Sequence, residues 1–315
     1  MSKSTASFIA YDLRPAKQAE RRMLLDYFEA MKEAGLQVSS YRYLGMGGIK
    51  FYDFSMIYRF LGITQLVSCE RSLAAFTRGA YNRPFSVIDV RNQEIGNFIT
   101  TELADKETLC WLDYDDSLSD EIVADIINAG IHLKIGSAFF ITVASGMPRK
   151  YTEMPEGERL SDFKEQFGQF ASEVIVDDME ESTFKVAYWK VLDKAFINAF
   201  SARSEGQFQR NFCVEYSDST PMITMGGCFI HTINARQLKA SLKRRMKFLS
   251  LNQAPYKIRN FNLTERERHL FDIAASGRAN CTQANKLRSL GFKTQDLRSY
   301  RELVRFLPRY FEAFN

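Results

Sequence analysis

Short apolar runs alternate with amphipathic stretches through the first half of the 315-residue chain, and this alternation constrains the fold most. Tyr41–Leu44, Leu66–Cys69, Phe85–Val90, Leu109–Leu112 and Ser137–Ala144 read as strands. Between them Phe51–Leu61, Leu73–Tyr81, Glu94–Leu103 and a helix capped by Ser119 and running to Ala129 carry three- and four-residue spacing. Such spacing implies βαβ units, hence a mostly parallel sheet with helices on both faces, whose ligands bind beyond the carboxyl ends of the strands. An additional helix is expected over Lys17–Gly35, before the first strand. Met147–Glu158, with two prolines, reads as a surface loop, followed by helices over Asp162–Glu173 and Phe184–Phe200. Arg210–Tyr216 and Pro221–Ile230 flank the polar run Ser217–Thr220, the pattern of an antiparallel hairpin closing the sheet.

Composition narrows the class. Hydrophobic residues make up 45% of the chain and aromatic residues 13%, which excludes disorder. No apolar run reaches the roughly 18 residues of a membrane span, and the N-terminus lacks a signal-peptide pattern, so a cytoplasmic protein is expected. The 5 cysteines and 3 histidines are too scattered for a zinc or histidine metal site.

The net charge of +4 is a composite. From Ala235 onward, 18 Lys and Arg stand against 6 Asp and Glu, whereas the preceding 234 residues carry 24 basic and 32 acidic side chains. Three parts are therefore expected: an N-terminal helical segment (1–40), a Rossmann-like domain (41–234), and a basic, mainly helical C-terminal extension (235–315). The extension, with Lys243-Arg244-Arg245-Met246-Lys247, suits a nucleic acid or an acidic protein, or else docks on the chain's own acidic body.

Four groups of residues can carry chemistry. Gly45-Met46-Gly47-Gly48 follows the first strand and precedes a helix, where glycines permit a tight turn and close approach of a nucleotide; the ordinary alternative is a plain strand-to-helix turn. Glu70 ends the second strand, 22 residues beyond Gly48, the place from which a carboxylate accepts hydrogen bonds from ribose hydroxyls; pairing with Arg71 is the alternative. Asp113-Tyr114-Asp115-Asp116 ends the fourth strand and can orient a substrate amine, act as general base, hold magnesium, or cap the next helix. Near the N-terminus, Arg14 and Lys17 either start a charged helix or close over a cofactor.

Leu13-Arg14-Pro15-Ala16-Lys17, Tyr43–Gly48 with Phe51-x-Asp53-Phe54, Ser68-Cys69-Glu70, Trp111–Asp115, Met222–Gly227 and Tyr300–Leu303 together resemble a family of bacterial O-methyltransferases. The resemblance implies a class I fold that binds S-adenosylmethionine, with an acceptor it does not identify. Gly45, Gly47 and Gly48 would face the methionine end, Glu70 the ribose, and Asp89 to Asn92 the adenine. Two departures stand out. Tyr43 occupies the position where common methyltransferases place an acid, and Thr142–Gly146 lacks the acids of metal-dependent relatives, so no catalytic metal is expected. The rival reading is a catalytically silent module of the same fold that binds a nucleotide or nucleic acid.

Overall fold

The computed structural model describes residues 14–249, 255–277 and 282–308. A single eight-stranded sheet runs in the order β3-β2-β1-β4-β5-β7-β6-β8. Its parallel part comprises β1 (Arg42–Gly45), β2 (Gln65–Cys69), β3 (Ile88–Arg91), β4 (Thr108–Ser117) and β5 (Ala138–Ala144). The order reverses between β1 and β4, which creates the crevice where open α/β sheets receive ligands. The expected hairpin is present: β6 (Gln207–Ser217) and β7 (Pro221–Ile230) pair antiparallel, and β7 lies between β5 and β6.

Strand residues alternate between two cores, as a sheet covered on both faces requires. Tyr43, Leu66, Leu109, Trp111 and Phe140 enter one core, beneath α1 (Pro15–Glu33), α2 (Tyr52–Leu61) and α3 (Leu73–Asn82). Leu44, Val67, Cys110, Leu112 and Phe139 enter the other, against α4 (Ile95–Glu102), α5 (Asp120–His132), α6 (Arg149–Glu153), α7 (Glu156–Phe167) and α8 (Phe184–Phe200).

Sequence and structure diverge at three places. The stretch Met147–Glu158 is not a loop: it forms α6 and the start of α7, because Pro148 and Pro155 sit immediately before each helix, where a fixed φ helps and no backbone N–H is needed. Strand β4 runs on to Ser117, so the acids lie within the strand and not in a turn after it. The C-terminal stretch is helical in α9 (Thr232–Arg245), α10 (Glu265–Ser276), α11 (Thr282–Ser289) and α12 (Thr294–Leu303), but it also supplies β8 (Tyr256–Lys257), which pairs with β6. Leu238, Leu242, Phe271, Tyr300 and Leu303 share a core with Tyr27 and Phe28 of α1, so residues from all three expected parts meet there. Among the described residues, no helix is long and apolar enough to cross a membrane.

Several basic residues of this region are spent within the chain. Arg245 pairs with Asp26 at 2.7 Å and Glu33 at 2.6 Å, Arg244 reaches Glu33 at 2.5 Å, and Arg305 reaches Asp26 at 2.6 Å. Hydrogen bonds from Arg245 and Ser241 hold the Glu33 carboxyl at a pKa of about 2, against some burial and with further help from Arg244. A depressed carboxylate pKa adds stability above the unfolded value near 4.5, and that stability is lost as pH falls toward 2. The pair is partly exposed, so solvent screening keeps the effect small. Urea midpoints measured from pH 5 to pH 2.5 should fall less steeply in Glu33→Gln than in the parent chain.

Candidate functional site at the strand ends

The turn after β1 is tight, and its geometry explains its glycines. Gly48 has φ +56° and the following Phe51 has φ +49°, a left-handed conformation that costs a bulky residue about 1–3 kcal/mol. Phe51 tolerates it because its ring is fully buried and its N–H donates to Gly47 O at 3.0 Å. A Cβ on Gly47 would meet that ring at 2.4 Å, so the buried aromatic enforces glycine there.

Glu70 closes the turn from the neighbouring strand. Its Oε1 accepts the Gly48 N–H at 3.0 Å and the Ser68 hydroxyl at 3.1 Å, and the same Ser68 oxygen accepts the Gly47 N–H at 2.9 Å. Burial raises the Glu70 pKa, while Ser68 and the Gly48 N–H oppose the rise. Asn92, just past β3, donates to the backbone oxygens of Glu70 and Arg71 at 3.0 and 3.3 Å and so ties the ends of β2 and β3 together.

On the other side of the turn, Tyr43 donates to Asp53 at 2.5 Å. Asp53 lies in the first turn of α2 and lines a small cavity, about 70 Å³, with Met46, Gly47, Gly48, Asp113 and Asp115; Arg21, Ile49, Lys50 and Tyr52 complete it. Burial holds the Asp53 pKa up, with the Tyr43 hydroxyl and Arg21 working against it. A carboxylate ten residues later in sequence thus stands against the hydroxyl at position 43.

Above β4 sits a buried polar cluster. Lys17, 3% exposed, lies 2.7 and 2.6 Å from the two oxygens of Asp113 and 2.8 Å from Glu20, and donates to the Tyr216 hydroxyl at 3.1 Å. Its ammonium also faces the Trp111 ring at 4.9 Å. Burial disfavours the charge, yet Asp113 and Glu20 outweigh it and raise the lysine pKa. Glu20 in turn accepts from Thr224 of β7 and, at 3.2 Å, from Thr142 of β5, whose hydroxyl also receives the Trp111 indole N–H at 2.9 Å. Desolvation raises the Glu20 pKa, and Lys17 opposes it.

Of the residues singled out in the sequence, Gly47, Gly48, Met46, Asp113 and Asp115 line one cavity, Gly45 ends the strand beneath it, and Glu70 and Asn92 flank its turn. Four others are placed elsewhere. Tyr114 alternates to the opposite sheet face and donates to Asp125 of α5 at 2.6 Å, because consecutive strand residues point to opposite sides. Asp89 lies two residues before the end of β3 and pairs with Arg91 at 2.7 Å. Arg71 is exposed and 3.5 Å from Glu94, and Arg14 donates to Ser219 in the β6–β7 turn at 3.0 Å. Sequence reasoning passes over Asp53, Ser68, Glu20 and Tyr216. Asp53 and Ser68 stand inside the quoted motifs and Glu20 lies one helical turn from Lys17, whereas Tyr216 meets Lys17 only through tertiary packing.

Lys17→Met leaves Glu20 buried and Asp113 half-buried without their cation, so a loss of about 3 kcal/mol is expected by chemical denaturation. Adding Glu20→Gln to that variant should restore part of the loss.

With this geometry in view, the sequence profile of the family described as "Putative O-methyltransferase" matches residues 9–315. No curated protein matches the chain in sequence. Among solved structures, an O-methyltransferase from Bacillus cereus in complex with SAH is 12% identical over 71% of this chain and 85% of its own, with a TM-score of 0.40. An arsenic(III) S-adenosylmethionine methyltransferase from Chlamydomonas reinhardtii is 10% identical over 61% of this chain and 64% of its own, at 0.37. LepI in complex with SAM is 11% identical over 60% of this chain, at 0.35, and the match spans only 43% of LepI. These likenesses are weak.

Proposed function

Because the chain belongs to the family described as "Putative O-methyltransferase", we propose that it transfers a methyl group from S-adenosylmethionine to an oxygen of a small acceptor. The observation that carries this reading is the turn at the sheet's reversal point. There Gly47 and Gly48 lie against Ser68 and Glu70, and a cavity lined by acids and cations opens beside them. The residues present suit such a donor. Glu70 keeps Oε2 for a ribose hydroxyl, since Oε1 is taken by Gly48 and Ser68. Asn92 stands at the end of the next strand, on the adenine side. Asp53 and Asp115 suit the donor's ammonium, and Arg21 and Lys50 its carboxylate.

S-adenosylmethionine, when bound, supplies a methyl group already activated by its positive sulfur. The chain's part is to align an acceptor, exclude water and receive a proton. Asp113 receives the proton, since it lines the cavity and Lys17 fixes both its oxygens. The acceptor oxygen gains its bond to carbon as the carbon–sulfur bond breaks, the electron pair leaves on sulfur, and the acceptor's proton passes to Asp113. Nucleic-acid binding through 235–315 has less support, because Arg244, Arg245 and Arg305 are engaged with Glu33 and Asp26.

Calorimetric titration with S-adenosylmethionine should show binding that Glu70→Ala weakens about 10- to 100-fold, the loss of a charged hydrogen bond. Asp113→Asn should bind the donor within a few-fold of the parent yet lower transfer of labelled methyl to extracted small molecules about 10²- to 10⁴-fold. Absence of donor binding to the parent chain would sink the proposal.

A further inference from the structure

A second, larger cavity lies between α1 and α2, with a volume of about 510 Å³. That is the size of sites that enclose small organic molecules. Arg21 and Tyr52 line both this cavity and the small one at the strand ends, so the two are adjacent.

Its charge is unbalanced. Arg21, Arg22, Arg59 and Arg305 contribute four guanidiniums, against one carboxylate, Asp26. Asp26 is already shared by Arg305 and by Arg245. Arg22 donates to two backbone oxygens, of Phe306 and Leu307, at 3.3 and 2.7 Å. Arg59 stands apart: among the described residues its partner is the face of the Phe85 ring, 5.6 Å away, and no carboxylate reaches it. The remaining wall is largely apolar, with Leu25, Met56, Phe60 and Phe306, and the Phe60 side chain is 64% exposed. An apolar wall beside an arginine without a carboxylate favours a ligand that has an apolar body and an oxyanion.

We propose that this cavity is the acceptor pocket and that it takes a hydroxylated organic acid with an apolar body. The acid is held at Arg59, and the hydroxyl is directed past Arg21 and Tyr52 toward the small cavity. The assignment of the bound molecule as methyl acceptor rests on the methyltransferase reading; the binding preference does not. In the reaction the hydroxyl oxygen bonds the donor's methyl carbon, the carbon–sulfur bond breaks, and the hydroxyl proton goes to Asp113, which yields a methyl ether and a neutral thioether.

The test compares 6-hydroxy-2-naphthoate with its uncharged amide, 6-hydroxy-2-naphthamide, by calorimetric titration of the full chain without a methyl donor. The acid should bind at least about 10-fold more tightly than the amide. Arg59→Gln, a change at an exposed residue, should erase that preference and leave amide binding unchanged; a thermal melt confirms that the variant folds. Equal affinities in the parent chain, binding of neither compound, or a preference that survives Arg59→Gln would each overturn the assignment. A parallel titration with S-adenosylmethionine separates the two proposals. Donor binding without an acid preference defeats this one alone, and an acid preference without donor binding defeats the methyltransferase reading and the acceptor role with it, leaving the acid-binding site.

Discussion

One buried ammonium organises the strand ends beside the candidate site. Lys17 comes from the first helix, but its partners come from β4 in Asp113, from the same helix in Glu20, and from β6 in Tyr216. Through Glu20 the contact continues to Thr142 and Thr224, so β4, β5, β6 and β7 all converge on one charge. Burying an ion pair of this kind rarely adds net stability over a packed apolar core; what it adds is a strong penalty for any arrangement that separates the partners. The first helix therefore has one acceptable seating over the strand ends, and Asp113 one orientation within the cavity.

The turn after β1 brings a carboxylate against Tyr43 from the helix that follows. The sequence has tyrosine where an acid is common, and the structure brings Asp53 back to that tyrosine through a left-handed Phe51 that bends the chain sharply into α2. Backbone strain at Phe51 is compensated by burial of its ring beside Gly47. Local cost, aromatic packing and placement of a charged group are thus one arrangement, not three.

The period-2 and period-3.6 patterns foretell the central strands, their helices and the antiparallel hairpin, because each depends on local alternation of apolar and polar residues. They fall short where tertiary contact overrides local signal. Nothing about Tyr256-Lys257 marks a strand until β6 offers an open edge. Two prolines suggest a loop over Met147–Glu158, although a proline directly before a helix is compatible with it. The site is legible in the same measure. The glycines, Glu70, Asp113 and Asp115 follow from strand ends and spacing and Asn92 from the family resemblance, whereas Tyr114 is misdirected by treating its segment as a turn, in which side chains have no fixed alternation. The basic C-terminal charge is visible, but its partners Asp26 and Glu33 sit more than 200 residues away in sequence from Arg245.

The first turn of α1 has no cap from its own sequence; the backbone N–H groups of Ala16 and Lys17 donate instead to the two oxygens of Asp218, at 3.1 and 3.0 Å. The helix is thus finished by a residue about 200 positions downstream. During synthesis, with the chain emerging at about 5–20 residues per second, α1 must wait on the order of ten seconds or more before its cap exists. Asp26, Glu33 and the apolar face of α1 are meanwhile unmatched, and the capped end of the helix cannot be complete before the hairpin has been synthesised.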